Sequence, residues 1–162
     1  YRPGIEGVEE GLMGGYGGAS GRVKEKCYYD TGGHKVKDQN AVAVGEYYIK
    51  QGKYVAFLKE IPNENRADMS VEGVHIEVKG MSSPNPSQVA KNLKKGFTQV
   101  DADNKRHPME THRPGTVVIL SEYKTLEEAQ RVVKAGYDEA VRKGYVTGNV
   151  KLFHNDVMYD IT

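Results

Sequence analysis

The stretch RADMSVEGVHIEVKG, residues 66–80, leaves few ways to fold. Two runs of alternating apolar and polar residues flank Glu72 and Gly73. Alternation with a period of two belongs to strands, and a glycine between two such runs marks a hairpin. With Glu72 and Gly73 as the loop, Val71 is expected to face Val74, Ser70 to face His75, Met69 to face Ile76, and Asp68 to face Glu77. This register gathers Met69, Val71, Val74, Ile76 and Val78 on one face, and a slip of one residue would scatter them. His75, Glu77 and Lys79 are left together on the opposite face.

The register also sets two acids against each other. Facing residues of an antiparallel pair hold their Cβ atoms roughly 4.5–5.5 Å apart, and like charges there repel. A divalent cation between Asp68 and Glu77 would remove that cost, and hard carboxylate oxygens suit Mg²⁺ or Mn²⁺. Lys79, on the same face as Glu77, is placed to hold or activate a water and to stabilise charge on a phosphate. A solvated hairpin face would use the same residue types. Acid-x-Lys triplets also occur at Asp103 and Glu122, the latter without an opposing carboxylate hairpin.

The rest of the chain supplies a frame for the hairpin. A first helix is expected from Asp38, a capping residue, to Gly52, with Ala41, Val44, Tyr48 and Ile49 on its apolar face. KYVAFL reads as a strand. A second helix begins at the cap Asn85 with Pro86 in its first turn. Its apolar stripe is Val89, Leu93, Phe97 and Val100, and Gln88, Asn92, Lys95 and Gln99 make a polar one. TVVIL is a continuous apolar run suited to a buried strand. Thr125 and Glu128 form a capping box for a third helix, closed by Gly144. VKLFH and VMYDI are late strands. The expected class is α/β, a mixed sheet flanked by helices.

The 162 residues suffice for one domain with a core. Residues 1–33 are glycine-rich and read as a flexible lead-in or linker, with the compact domain in residues 34–162. No run of about 18 apolar residues is present to span a membrane. The net charge of +1 is too small to mark a polyanion-binding protein as a whole, so any such surface must come from local clustering. Cys27 is the only cysteine, which excludes an internal disulfide and a cysteine-based zinc cluster. The sequence opens on Tyr1 with no signal-peptide pattern, and it is expected to be a piece of a longer protein.

Asp68 followed by Glu77-Val78-Lys79, after a helix and a strand and before another helix, resembles the PD-(D/E)xK nuclease superfamily. The likeness spans residues 38–121. Within it, AVAVGEYYIKQGKYVAFLKEI, RADMSVEGVHIEVKG and AKNLKKGFTQVDAD are similar to the C-terminal nuclease domains of contact-dependent inhibition and related polymorphic toxins. The resemblance implies a restriction-endonuclease-like fold and a divalent metal held by Asp68 and Glu77. Mg²⁺ is the first choice, with Mn²⁺ or Zn²⁺ as alternatives. It gives Lys79 and Gln99 catalytic roles, Gln99 standing where these domains carry a helical glutamine. It further implies nucleic-acid cleavage, with tRNA ahead of DNA, and a cognate immunity protein. The domain would be secreted or delivered as part of a larger bacterial protein and act in the target-cell cytoplasm. A protein of this fold could instead be a non-catalytic binding module. Ala67 stands where the superfamily places a proline, and the first-helix ligand of many members corresponds to Glu46, Asn40 or Gln39.

Nucleic-acid contacts are expected from Lys95 on the second helix, and from Lys105, Arg106 and Arg113 in a loop with His107 and His112. Lys91 and Lys94 extend the basic helix face. His75 either backs the metal ligands or pairs across the strands with Ser70. Tyr47, Tyr48 and Tyr54 read as packing residues.

Overall fold

The computed structural model describes residues 27–162. The expectation of a flexible lead-in therefore lies, for residues 1–26, outside the described residues. Packing begins ahead of His34: Tyr28 is buried against Phe57, with ring centroids 5.6 Å apart.

Among the described residues, six strands and three helices follow one another as α1 (Gln39–Lys50), β1 (Val55–Phe57), β2 (Met69–Val71), β3 (Val74–Met81), α2 (Pro86–Arg106), β4 (Thr116–Ser121), α3 (Leu126–Arg142), β5 (Asn149–His154) and β6 (Val157–Asp160). The strands form one mixed sheet in sequential order. β1, β2 and β3 are antiparallel, β3, β4 and β5 parallel, and β6 antiparallel to β5. This is the α/β sheet flanked by helices that the sequence pattern implies. Among the described residues no helix is long and apolar enough to cross a membrane.

Local chemistry accounts for the elements. The Asp38 carboxylate accepts the N–H groups of Asn40 and Ala41 and so caps α1. Asn85 accepts Ser87 N–H and Pro86 opens α2, while Thr125 accepts Glu128 N–H at the start of α3. Glu72 and Gly73 both have positive φ, 47° and 78°, the backbone of the two-residue turn that matches strand twist. The pairs Val71↔Val74, Ser70↔His75 and Met69↔Ile76 form as the alternation predicts.

The expected fourth pair does not form. Asp68 leaves the ladder, donates its N–H to Ile76 O and accepts Leu58 N–H at its carbonyl. Its carboxylate Oδ2 then takes the N–H of Val78 at 2.9 Å. Beyond Ile76 the β2-facing edge of β3 has no strand partner, and a backbone donor there needs an acceptor. The acid side chain serves as one.

The sheet separates two cores. On one face α1 covers Met69, Val71, Ile76 and Val78. On the other, α2 and α3 cover Val117, Ile119, Val150 and Leu152. The predicted stripe of α2 lies in this second core, with Val89, Leu93, Phe97 and Val100 all buried. α2 runs further than its apolar pattern, and its last turn contains Asp103, Lys105 and Arg106. The basic loop cluster is accordingly divided. Lys105 and Arg106 end a helix, where positive charge complements the dipole. Arg113 donates to Glu72 O, and Thr111 to Gly73 O, so the loop clasps the hairpin turn. His107 pairs with Glu64.

Candidate metal and phosphate site

Lys79 links the residues singled out from the sequence. Its ammonium lies 3.0 Å from Glu77 Oε2 and donates to Gln99 Oε1 at 2.6 Å. Gln99 in turn directs its amide toward Arg66 O at 3.5 Å. Asp68 lies beside Glu77, close enough that each carboxylate acts on the ionisation of the other. Asp68, Glu77, Lys79 and Gln99 thus come together just before β2 begins, where β3 continues under α2.

The polar face of β3 is not solvated. α2 lies over it: Asn92 donates to Met81 Sδ, Gln99 receives Lys79, and Asn104 Oδ1 lies 2.5 Å from His75 Nδ1. Glu77 is only 4% exposed and His75 fully buried. His75 therefore finds its side-chain partner on α2 and not in Ser70 across the strands.

Burial is the main reason both acids resist ionisation. It pushes Glu77 up to about 8, with the Asp68 charge adding to the effect and the Lys79 ammonium opposing it. Burial also raises Asp68, while the Val78 N–H works in the other direction, and the Asp38 carboxylate raises it further. Asp38, read from the sequence only as a helix cap, is thus a third acid near the pair.

The donor set fits a hard cation. Glu77 Oε1 is buried and has no hydrogen-bond partner, an orphaned acceptor next to a second carboxylate. Among the described residues no three side chains of His, Cys, Asp or Glu converge as a metal-binding group. Asp68 and Glu77 supply only two side-chain ligands, a pattern suited to ions that keep several waters.

Two openings meet at Gln99 and Asn65. A cleft of about 710 Å³ contains Asp68 together with Asp38, Lys59 and Arg66. A groove of about 520 Å³ is lined by Lys79, Lys91, Lys94, Lys95 and Thr98. Lys95 therefore joins the site. Lys105 is six residues beyond Gln99, about 9 Å further along the helix. Lys105, Arg106 and Arg113 line neither opening.

Of the first-helix candidates, Asn40 is the one that reaches β3: its Nδ2 lies 2.8 Å from where a Gly80 Cβ would stand. Glu46 accepts from Tyr28 Oη and pairs with Lys50, and it lines a separate cavity with Gln39.

Two residues at the site had escaped the sequence reading. Asp103 is fully buried, accepts Arg66 Nε at 3.1 Å and Ala67 N–H at 3.0 Å, and lies 3.6 Å from His75 Nε2. Arg66 also donates to Lys59 O. The signal was the spacing: Asp103 stands four residues after Gln99 and prolongs its stripe.

Searches against family models, curated proteins and solved structures find no match to this chain.

Proposed function

We propose that the chain is a metal-dependent phosphodiesterase, an endonuclease serving as an antibacterial toxin domain. The observation that carries this reading is the Asp68–Glu77 pair with a buried, unsatisfied Glu77 Oε1, set beside the Lys79 ammonium of a lysine-lined groove.

Asp68 and Glu77 would hold a divalent ion, Mg²⁺ or alternatively Mn²⁺ or Zn²⁺. Such an ion, when bound, polarises a phosphoryl oxygen and makes a water more acidic. Lys79 has three N–H donors, and Glu77 and Gln99 take two of them. The third is available to a phosphate oxygen or to the attacking water. Gln99 fixes the Lys79 head and stands between the two openings, where it can orient either. Lys91, Lys94 and Lys95 attract the phosphate backbone without reading sequence.

The choice of tRNA over DNA, the delivery as part of a larger bacterial protein, action in the target-cell cytoplasm and the cognate immunity protein are supported by the family resemblance. The test is incubation of the protein with tRNA and with plasmid DNA in Mg²⁺, Mn²⁺, Zn²⁺ or EDTA. We expect metal-dependent cleavage of tRNA that Glu77→Ala abolishes. Cleavage of plasmid alone would move the assignment to a DNase. Binding of both with cleavage of neither would make the chain a binding module.

A further inference from the structure

We infer that Asp103 is a positioning residue for the cation site: from α2 it fixes the Arg66–Ala67 peptide that leads into Asp68, and the affinity of Asp68 and Glu77 for a divalent ion depends on it. This inference rests on the metal-site reading above.

Asp68 stands at the end of the long connection from β1 to β2, which has no regular structure of its own between Leu58 and Asp68. Its backbone is tied to the neighbouring strands through Leu58 N–H and Ile76 O. Those two bonds fix the peptide planes on either side of Asp68 but do not reach the Arg66–Ala67 peptide that leads into it. Asp103 supplies the missing constraint. One carboxylate oxygen accepts Ala67 N–H and the other accepts Arg66 Nε, so the two residues before Asp68 are bound to a single group. One turn earlier on α2, Gln99 reaches Arg66 O. The helix that receives Lys79 at Gln99 therefore also holds the chain leading into Asp68. The two halves of the site are registered against one element.

A purely structural buried ion pair would need only the Arg66 guanidinium. The bond to Ala67 N–H is different, because it acts on the backbone next to the ligand. Groups that orient metal ligands without touching the metal matter greatly: their loss typically costs about 10–100-fold in metal affinity.

The isosteric Asp103→Asn variant separates the roles. A carboxylate offers two acceptor oxygens, whereas an amide offers one oxygen and an NH₂ that only donates. Because the two donors approach different oxygens, asparagine in the same pose can serve Ala67 N–H or Arg66 Nε, but not both. In the double variant Arg66→Met with Asp103→Asn, the single oxygen has only Ala67 N–H left to serve.

The experiment measures the dissociation constant for Mn²⁺ by calorimetry on the full chain, with unfolding midpoints recorded in parallel. We expect wild type to bind Mn²⁺, Asp103→Asn to bind about 10–100-fold more weakly, and the double variant to recover most of that loss. Wild-type affinity in a folded Asp103→Asn overturns the positioning role and leaves the metal site standing. A double variant as weak as Asp103→Asn also overturns it. If neither variant folds, Asp103 is a folding residue and the proposal fails. If wild type binds no Mn²⁺, the metal-site reading fails and takes this inference with it.

Discussion

The two faces of β3 carry opposite solutions to the same burial. Toward α1 the strand presents Ile76 and Val78, both buried among apolar neighbours. Toward α2 it presents His75, Glu77 and Lys79, with the first two as buried as the apolar pair. The neighbouring strands under the same cover show what α2 and α3 ordinarily bury: Val117, Ile119, Val150 and Leu152. The acids of the sheet under this cover belong to β3 and to the start of β2, while β4 and β5 contribute a Ser121–His154 pair. Ile76 and Val78 gain stability from leaving water. Glu77 and Asp68, when both are ionised, lose solvation and repel each other, and so they make the fold worse unless something else binds them.

The largest effect that should distinguish the faces is on chemistry. Lys79→Ala or Glu77→Ala is expected to lower the cleavage rate by about 10²–10⁴-fold, the usual range for removing a group that handles protons or developing charge. The fold should survive both changes, as circular dichroism would show. Retention of most of the cleavage rate would mean that the wrong face has been chosen.

The opposite face should answer in stability. Ile76→Ala is expected to cost about 2–5 kcal/mol, as for other deletions from packed cores. Denaturant titration measures this directly. Any variant that stays folded should keep its metal affinity, because no ligand has been removed. A loss of affinity without unfolding would blur the division between the faces.

A smaller effect follows from ionisation. Glu77 sits at about 8 in the folded protein against an ordinary 4.5. The folded state therefore holds this proton more tightly than the unfolded chain does. Between those values the unfolded chain has lost the proton and the folded one keeps it, so stability falls as pH rises. The loss should level off above about 8. Without metal, the wild-type unfolding midpoint is expected to decline from pH 5 to pH 9, and Glu77→Gln should flatten the decline. Identical profiles for the two proteins would count against the buried acid. Smallest of all, Glu122→Ala should change stability by no more than about 0.5 kcal/mol and leave cleavage intact, since this exposed acid has no opposing carboxylate on a hairpin. Inactivity of Glu122→Ala alone would transfer the catalytic role to the other acid-x-Lys triplet.

Reading the sequence reached one face of β3 more fully than the other. The apolar face and the hairpin register were legible because Gly73 marks the turn and because alternation admits one pairing of the two runs. Lys79 and Glu77 were legible by the same alternation, and the Gln99 stripe by helical spacing. That α2 lies over the polar face was not legible, because contacts such as Asn104 with His75 join residues far apart in the chain. The bend at Asp68 was missed because pairing rules assume that the ladder continues, whereas here the side chain takes over from the strand in accepting Val78 N–H. Asp103 was passed over as part of a chance triplet. Of the six α2 residues after Val100 only Ala102 is apolar, so the apolar stripe does not extend the helix to Asp103, and only the polar stripe through Gln99 does.

An unfavourable Asp68–Glu77 pair should be completed by a cation. Comparing thermal unfolding of wild type and Glu77→Gln near pH 8, in EDTA and in Mn²⁺, tests this most directly. In EDTA the variant should be the more stable protein, because a neutral amide removes both the repulsion and the buried charge. In Mn²⁺ at 100 times its dissociation constant, wild type should gain about 2.7 kcal/mol, and the variant should gain little. Wild type unmoved by Mn²⁺, or a variant stabilised to the same extent, would contradict the claim.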